Sequence, residues 1–383
     1  MWKLVQSGLS VVAGTAEPEY GRQAIHPITD SIIKQDIPVY RETEAQDFNW
    51  LQPDSTNVET DTFYFTDLSS NIVGFAQVIH SNLMGVHNTA QFTFRLFHVS
   101  PSSIDENIWT STKLSNFRIE GANFYADGLS IELTDNQQYH IKSSVTNDSI
   151  VDLLVNRLTP GVIFGKDGNT FYGDDINQPW GSMRHLFWPR CKVTGTILTP
   201  AKSYQINGFT MFVKALQGMK PHHAAKSWNF LNFQSENYSA VQMEFTTPPS
   251  YACTKVNIGI VTNNHEILYA TINNSVIHQN PKIDDIGWPV PQSISFNFIK
   301  DKKTEIADEN DTTVVTVSGE LVNLVERVDV MAEIPQFVKN IVSNIAGTKP
   351  FIYQFCNEFE LVNLVTGDKE KGIAMNEATF ISE

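Results

Sequence analysis

The sequence predicts an all-β protein made of two related antiparallel β domains in tandem, with one amphipathic helix at the N-terminus and one late helix. Three observations favour this fold. From Phe48 onward the apolar residues alternate with polar ones, as in strands that have one buried face. Turn residues separate these runs at intervals of roughly 8–12 residues, which is typical of β-sandwiches and β-barrels. The strand–turn–strand pattern of Phe63–Val78 returns at Asn229–Met243.

Composition limits the classes of function. Aromatic residues make up 11% of the 383 residues, which is enough to build a packed core. The net charge of −15 argues against nucleic acid as a partner, because that affinity comes from Lys and Arg that neutralise phosphates. Cys191, Cys253 and Cys356 form no CxxC motif, as expected in a reducing compartment. No apolar run approaches the ~20 residues that cross a bilayer, so we expect a soluble, cytoplasmic protein.

Residues 1–16 predict an amphipathic helix that ends before Pro18. At roughly 100° per residue, the apolar side chains share one side of this helix and the polar side chains share the other. The residues expected to bind a membrane are Met1, Trp2, Leu4, Val5, Leu9, Val11 and Val12. The polar side carries a single lysine, Lys3, so attachment would depend on apolar insertion rather than on attraction to anionic lipids.

Two other interpretations of residues 1–16 stay open. A secretory signal would need an uninterrupted apolar stretch, which Gln6, Ser7 and Ser10 break. A helix that packs on the protein's own core would have the same amphipathic pattern. The membrane interpretation is favoured because the indole of Trp2 suits the headgroup region of a bilayer.

The rest of the chain divides into three segments. Residues 17–47 predict an extended arm with little helix, because prolines interrupt a polar stretch. A first β domain is expected over 48–218 and a second over 219–383. The boundary falls in the stretch 218–223, where the alternation lapses between two strand-rich halves.

Within the β domains, strands and turns are marked by local patterns. The clearest alternating runs are Phe92, Phe94 and Leu96; Leu129, Ile131 and Leu133; Val256, Ile258 and Ile260; and Ile294, Phe296 and Phe298. The turn signals are Asp127-Gly128, Lys166 to Asn169, Thr199-Pro200 and Asn273-Asn274. Residues 300–311, of mixed charge, predict a solvated hairpin loop. The late helix begins at Pro335 and ends at Gly347, and we expect it to cap a barrel mouth or pack on a barrel wall.

No catalytic or metal-binding motif is recognisable. The chain lacks a G-x-S-x-G elbow, a Walker loop and a G-x-G-x-x-G loop. His265-Glu266 begins like a metalloprotease helix, but Tyr269 stands where the second histidine is needed. His222 and His223 would point to opposite faces of a strand. We therefore expect no metal and no cofactor.

Two stretches, 180–188 and 222–230, mix aromatic and cationic residues. A pocket for an amphipathic lipid needs apolar walls and a few polar groups, which these stretches supply. The candidate lipid-binding residues are Trp180, Arg184, His185, Trp188 and Trp228. The alternative is a packed barrel seam in which the histidines are already hydrogen-bonded.

Several strings resemble the fungal survival factor 1 family, and the match runs nearly end to end. They are Met1-Trp-Lys with Ala16-Glu-Pro-Glu-Tyr-Gly21, Thr62-Phe-Tyr-Phe-Thr-Asp-Leu68, Gln77-Val-Ile-His-Ser81, Gln91-Phe-Thr-Phe94, Lys220-Pro-His-His-Ala-Ala225, Trp228-Asn-Phe-Leu-Asn-Phe233 and Ala346-Gly-Thr-Lys-Pro-Phe351. The resemblance implies two tandem lipocalin-like barrels. It also implies that the N-terminal helix binds membranes and that the initiator Met1 is acetylated.

The function implied by the resemblance is non-enzymatic transport of ceramide from the endoplasmic reticulum to the Golgi, with survival under oxidative stress. The expected partners are ceramide or a similar lipid and the surfaces of both membranes. The expected location is the cytoplasm, with peripheral attachment to these membranes, and the nucleus; the oligomeric state is left open. Two alternatives remain: a two-barrel enzyme acting on an apolar isoprenoid-like lipid, and a stress-responsive binding protein without lipid cargo. An acid–base pair inside one barrel would favour the enzyme, and the sequence shows no convincing pair.

Overall fold

The alternating patterns become strands almost throughout the computed structural model. It describes residues 20–83, 85, 87–100, 107–219, 221–300, 312–330 and 348–382. The helices predicted at 1–16 and from Pro335 to Gly347, and nearly all of the loop at 300–311, lie outside the described residues. Within them the chain is nearly all β, which confirms the predicted fold class. No helix in the described part is long and apolar enough to cross a bilayer.

The first half forms one curled antiparallel sheet, called barrel one here. Its strands are β1 (Ile25–His26), β2 (Tyr40–Glu42), β3 (Asn57–Asp67), β4 (Ile72–Leu83), β5 (His87–His98), β6 (Ile108–Lys113), β7 (Arg118–Glu120), β8 (Asn123–Ala126), β9 (Leu129–Thr134), β10 (Gln138–Ser143), β11 (Ile150–Arg157), β12 (Val162–Phe164), β13 (Asn169–Tyr172), β14 (Gly181–Leu198) and β15 (Ser203–Gln217). The main order is β6-β5-β4-β3-β15-β14-β11-β10-β9-β8-β7, and the short strands β1, β2, β12 and β13 pair beside β14.

The second half forms barrel two. Its strands are β16 (Ser227–Gln234), β17 (Ser239–Thr246), β18 (Lys255–Thr262), β19 (Ile267–Thr271), β20 (Ser275–Gln279), β23 (Ser293–Lys300), β24 (Thr312–Glu320), β25 (Leu324–Asp329), β26 (Thr348–Asn363) and β27 (Lys369–Ser382), with a separate ribbon of β21 (Lys282–Ile283) and β22 (Pro289–Val290). The order β19-β18-β17-β16-β27-β26 repeats the order β6-β5-β4-β3-β15-β14 of barrel one. The internal repeat seen in the sequence therefore corresponds to a shared strand order.

The two barrels meet face to face along a seam. The seam includes the outer faces of β3, β4, β5, β14 and β15 on one side and those of β16, β17, β18, β26 and β27 on the other. Tyr64 of barrel one stacks on Phe230 of barrel two, with ring centroids 5.5 Å apart. Arg95 donates to Gln354 Oε1 at 2.7 Å, and Gln354 Nε2 donates to the buried carboxylate of Glu377 at 2.6 Å. Because the seam covers their outer faces, strands such as β5 are buried on both sides.

Arg190 joins the barrels through a set of hydrogen bonds. Its guanidinium extends from a bulge of β14 and is fully buried. It donates to Gln234 Oε1 at 2.9 Å, to Asn264 Oδ1 at 2.7 and 3.0 Å, and to the carbonyls of Glu236 and Tyr238. All of these acceptors are neutral and belong to barrel two, so the hydrogen bonds go to directed dipoles, while the nearby charges of Glu236 and Glu370 also favour the charged guanidinium.

The segment before Phe48 differs from the extended arm that the sequence predicts for 17–47. It contains helix α1 (Ile28–Gln35), besides short 3₁₀ turns and two short strands. Ile28 and Ile32 are buried against Gly165, whose left-handed φ of +56° suits glycine. Pro27 is the N-cap of α1, and its extended backbone lies outside the helix. The expectation of little helix was wrong because an eight-residue helix is stabilised by packing rather than by local propensity. A second helix, α2 (Pro221–Ala224), follows β15.

Candidate functional site

The inner face of β3 carries acidic residues among aromatic ones. Phe63 and Phe65 point into the core of barrel one. Side chains alternate along a strand, so Glu59 and Asp61 point into the same interior. Both are almost completely buried, with 1% and 0% of their surface exposed. Buried carboxylates need a partner, and the partner lies on the neighbouring strand.

Lys214 of β15 stands directly opposite Asp61 in the strand register. Its Nζ lies 2.9 Å from Asp61 Oδ1 and 3.7 Å from Glu59 Oε1. The same ammonium sits 3.8 Å from the ring centroid of Trp50, a cation–π contact. Glu59 also accepts hydrogen bonds from the backbone N–H groups of Leu51 and Gln52. The barrel therefore encloses one ammonium and two carboxyl groups.

Burial changes the acid–base behaviour of this pair. It raises the pKa of Asp61 to about 6, although Lys214 opposes the shift. Burial, together with the nearby Asp61, also raises the pKa of Tyr139 well above its usual range, so its hydroxyl stays a donor. Burial lowers the pKa of His80, which favours the neutral imidazole. We call Glu59, Asp61, His80, Tyr139 and Lys214 the lumen cluster.

Several polar atoms around the lumen cluster have no hydrogen-bond partner among the described residues. They are Asp61 Oδ2, Tyr139 OH, Trp50 Nε1 and Trp188 Nε1. One is an acceptor when ionised, two are indole donors and one is a hydroxyl. An unsatisfied buried polar group costs roughly 1–3 kcal/mol. Four such atoms near one another therefore indicate a place where a ligand or a water molecule supplies the missing hydrogen bonds.

An aromatic wall lies beside the lumen cluster. The Tyr139 ring is 4.9 Å from Phe63 and 5.1 Å from Trp188. Trp188 in turn packs against Phe48 and Phe212, at 5.4 and 5.6 Å between centroids. The interior of barrel one thus combines a packed aromatic wall with a few polar groups, the residue types that line amphiphile-binding sites.

Two of the predicted lipid-binding residues lie at this lumen. Trp188 is fully buried in the aromatic wall. Arg184 is on the same face of β14 and donates to the backbone carbonyls of Asp47 at 3.1 Å and Asp167 at 3.0 Å. Its guanidinium also lies 3.5 Å from the Asp47 carboxylate. Arg184 is therefore held in place by the segment that precedes β3 and by the turn between β12 and β13.

The other three predicted residues lie elsewhere. His185 points to the opposite face of β14, stacked beside Phe187, and burial lowers its pKa to about 4. Trp228 is on the seam face of β16, where its indole lowers the pKa of Glu377 against the larger effect of burial. Trp180 is 42% exposed and packs near Tyr20 and Tyr251 at the edge of the seam. The five residues do not converge on one pocket.

The lumen cluster was missed by sequence reasoning, although a signal was present. Glu59 and Asp61 have the same parity as Phe63 and Phe65, so alternation alone places them inside. Lys214 shares its parity with the buried Phe212. Which of these charges pair across strands depends on a register between segments far apart in the chain. Among the described residues no group of three or more His, Cys, Asp or Glu is arranged to hold a metal ion.

A family model described as the Svf1 family matches residues 2–382. The chain belongs to the Svf1 family. One member, the ceramide-binding protein SVF1 of Debaryomyces hansenii, is 64% identical over 384 residues, with all of both chains covered. The resemblance stated from the sequence is thereby confirmed.

Solved structures support the lipocalin-like fold of this Svf1 family member. A putative AttH from Nitrosomonas europaea has a TM-score of 0.60 at 10% identity and covers 88% of this chain and 97% of its own. The kievitone hydratase of Nectria haematococca has a TM-score of 0.55 at 13% identity and covers 88% and 93%. At such low identity the likeness shows the shared two-barrel fold alone.

Proposed function

We propose that this chain binds ceramide in the lumen of barrel one and carries it, chemically unchanged, from the endoplasmic reticulum to the Golgi. The observation that supports this best is the set of unpartnered polar atoms around Asp61 and Tyr139, beside an aromatic wall. A relative with 64% identity is named a ceramide-binding protein. Survival under oxidative stress would follow from lipid transport.

The head group of ceramide matches the lumen cluster in hydrogen-bonding type. Ceramide offers an amide carbonyl as acceptor, an amide N–H as donor and two hydroxyls that do both. The carbonyl would accept from Tyr139 or an indole N–H, and a hydroxyl would donate to Asp61 Oδ2. The head group is neutral, so it leaves the Asp61–Lys214 pair intact. The acyl and sphingoid chains would lie against the aromatic wall.

Membrane docking is assigned to residues 1–16, which lie outside the described residues, with Met1 acetylated. The position of the next segment supports a docking role near the seam. The backbone N–H groups of Tyr20 and Gly21 donate to the carbonyl of Ser250 at 2.9 and 2.8 Å, and Tyr20 stacks on Tyr251 at 5.0 Å. The half-exposed Trp180 lies beside this stack. Residues 1–16 precede this point in the chain and would therefore attach the barrels near this side to a Golgi or endoplasmic reticulum membrane from the cytoplasm.

Two measurements test the proposal. Lipids extracted from the purified protein should contain ceramide by mass spectrometry, and an extract without ceramide would overturn the carrier function. Leu9→Asp should release the protein from packing-defect-rich liposomes in flotation, since a central charge opposes apolar insertion. Undiminished flotation of this variant, with an unchanged unfolding curve, would show that residues 1–16 are not the membrane-binding element.

A second candidate function is catalysis in the same lumen. The observation that favours it is the buried Asp61–Lys214 pair, the acid–base pair that the sequence did not reveal. The kievitone hydratase with this fold is an enzyme. Incubation with ceramide, and separately with an apolar isoprenoid alcohol, followed by mass spectrometry, separates the two functions. A carrier returns both compounds unchanged, whereas an enzyme yields a product whose formation Asp61→Asn abolishes.

A further inference from the structure

Barrel two has its own polar layer, built from different groups. Gln242 of β17 and Asn376 of β27 stand opposite Leu231 of β16, one on each side. Leu231 belongs to the core of barrel two, so all three side chains point into its interior. Gln242 and Asn376 are fully buried. We call these two side chains the amide layer.

The amide layer is left incompletely bonded. Neither Oδ1 nor Nδ2 of Asn376 has a hydrogen-bond partner among the described residues, and the same holds for Oε1 of Gln242. Gln242 Nε2 donates only to the Ser275 carbonyl, at 3.5 Å. A fully buried amide with both ends unpaired costs roughly 1–3 kcal/mol for each unsatisfied group. Such an unfavourable arrangement is retained where a bound molecule supplies the missing hydrogen bonds.

Four inner-face neighbours of the amide layer are small. Ala374 and Ala378 flank Asn376 on β27, and Ala240 flanks Gln242 on β17. Gly259 faces Gln242 across β18. Small side chains therefore flank the unpaired amides along their own strands, the ring of Phe298 lies over Gly259, and Leu231 supplies apolar contact.

Next to the amide layer, toward the strand ends, a second set of polar side chains is linked by hydrogen bonds. Glu244 accepts from Asn257 Nδ2 at 2.8 Å and pairs with the half-exposed Lys255 at 3.2 Å. Asn229 donates to Glu244 at 3.3 Å and bonds to His278 Nε2 at 2.7 Å. Most of these polar atoms are bonded to one another, whereas Asn257 Oδ1 has no partner among the described residues, so the amide layer is the only one of the two levels in which an amide has both ends unpaired. The carboxylate of Glu244 nearby disfavours an anionic head group.

We infer that barrel two holds a second ligand site, in which Gln242 and Asn376 bind the neutral carboxamide of a single-chain lipid. A carboxamide pairs with another amide through one donor and one acceptor, which is the combination that Asn376 leaves open. The apolar chain would contact Leu231 and Phe355, which faces Asn376 on β26. This site is separate from the lumen cluster of barrel one.

The test uses oleamide as the probe and the full chain. The wild type should bind oleamide by isothermal titration calorimetry, with slower hydrogen exchange in β16 and β27, and should bind oleate at least roughly tenfold more weakly. Asn376→Leu should weaken oleamide binding roughly 5- to 150-fold and remove the protection in β27. It should also leave the ligand-free melting temperature equal or higher, because an apolar group replaces an unsatisfied amide. Met375→Leu, one residue away and facing the seam, is the control and should bind as the wild type does.

Three results would overturn the inference. A wild type that binds no oleamide, or that shows no protection in barrel two, lacks the site. An Asn376→Leu variant that melts at a lower temperature yet keeps binding would mean that an ordered water satisfies Asn376. If Asn376→Leu fails to fold, Gln242→Leu takes its place, and unchanged oleamide affinity in that folded variant contradicts the site equally.

Discussion

Barrel one and barrel two share a strand order but differ in what their inner faces enclose. In barrel one, Asp61 and Lys214 face each other across β3 and β15 as a buried ion pair. At the corresponding strands of barrel two, Leu231 faces the neutral Asn376. Desolvating two charges costs several kcal/mol for each ion, so a buried pair is rarely retained for stability alone. The difference teaches that corresponding strands of one architecture can carry a buried ion pair or neutral amide side chains, which suit different head groups.

The strongest test of this contrast removes one charge. Lys214→Met leaves Asp61 and Glu59 buried without their cation and should lower the free energy of unfolding by about 3–5 kcal/mol. The matched change in barrel two, Lys255→Met, removes a half-exposed lysine and should cost at most about 1 kcal/mol. Urea unfolding followed by tryptophan fluorescence gives both values. If Lys214→Met and Lys255→Met lower the free energy of unfolding equally, then solvent screens both ion pairs to the same extent and the contrast between the two barrels is mistaken.

A second test separates the barrels from each other. Arg190→Ala removes every hydrogen bond of the guanidinium and leaves Gln234 and Asn264 without their donor, so it should cost roughly 2–4 kcal/mol. Because these bonds cross the seam, unfolding should change from one transition to two, one for each barrel. Differential scanning calorimetry resolves the transitions. Arg118→Ala, at an exposed position of barrel one, is the control and should keep a single transition.

A smaller effect should appear as a pH dependence of stability that originates from Asp61 in barrel one. Asp61 has a folded pKa of about 6, above the ordinary value of 3.8, so the folded state holds its proton over a range where the unfolded state has released it. Its contribution to stability is present at low pH and is lost as the pH rises from about 4 to 6, with a slope of about −1.4 kcal/mol per pH unit. Carboxylates with lowered pKa, such as Asp47 and Asp67, give the opposite slope.

The difference between wild type and Asp61→Asn isolates this contribution. The unfolding free energy of the wild type minus that of Asp61→Asn should fall as the pH rises from about 4 to 6, by about 1.4 kcal/mol per pH unit. If the unfolding free energies of the two proteins change with pH in the same way, then Asp61 has an ordinary pKa and water reaches the interior of barrel one.

The sequence predicted the strands well because their alternation is local. The runs around Phe92 and Ile294 lie on β5 and β23, and the turn at Asp127-Gly128 joins β8 to β9. Alternation alone does not reveal which face of a strand packs in the seam and which face lines the interior of its barrel. Ile258 faces the seam rather than the interior of barrel two, and Arg95 is buried because barrel two covers it. Both facts arise from contacts between distant segments.

The candidate site was predicted only in part, for a related reason. Aromatic–cationic stretches pointed to Trp188 and Arg184, which do border the lumen. The same reasoning grouped them with His185, which alternation sends to the other face of β14. The ion pair itself joins residues 153 positions apart, so no local pattern contains it. Arg190 was missed because a buried arginine with only neutral acceptors has no local signature.

The most direct test of the central claim measures ceramide transfer between liposomes by two variants. One replaces Asp61 and Lys214 together by leucine, which removes both members of the ion pair and leaves Glu59 with its backbone N–H donors, so its stability loss should be smaller than the roughly 3–5 kcal/mol expected for Lys214→Met. The other is Asn376→Leu in barrel two. If the lumen of barrel one holds the head group, the double variant should transfer ceramide roughly 5- to 150-fold more slowly and Asn376→Leu should match the wild type. A folded double variant that transfers at the wild-type rate, or an Asn376→Leu variant that loses as much, would contradict the claim.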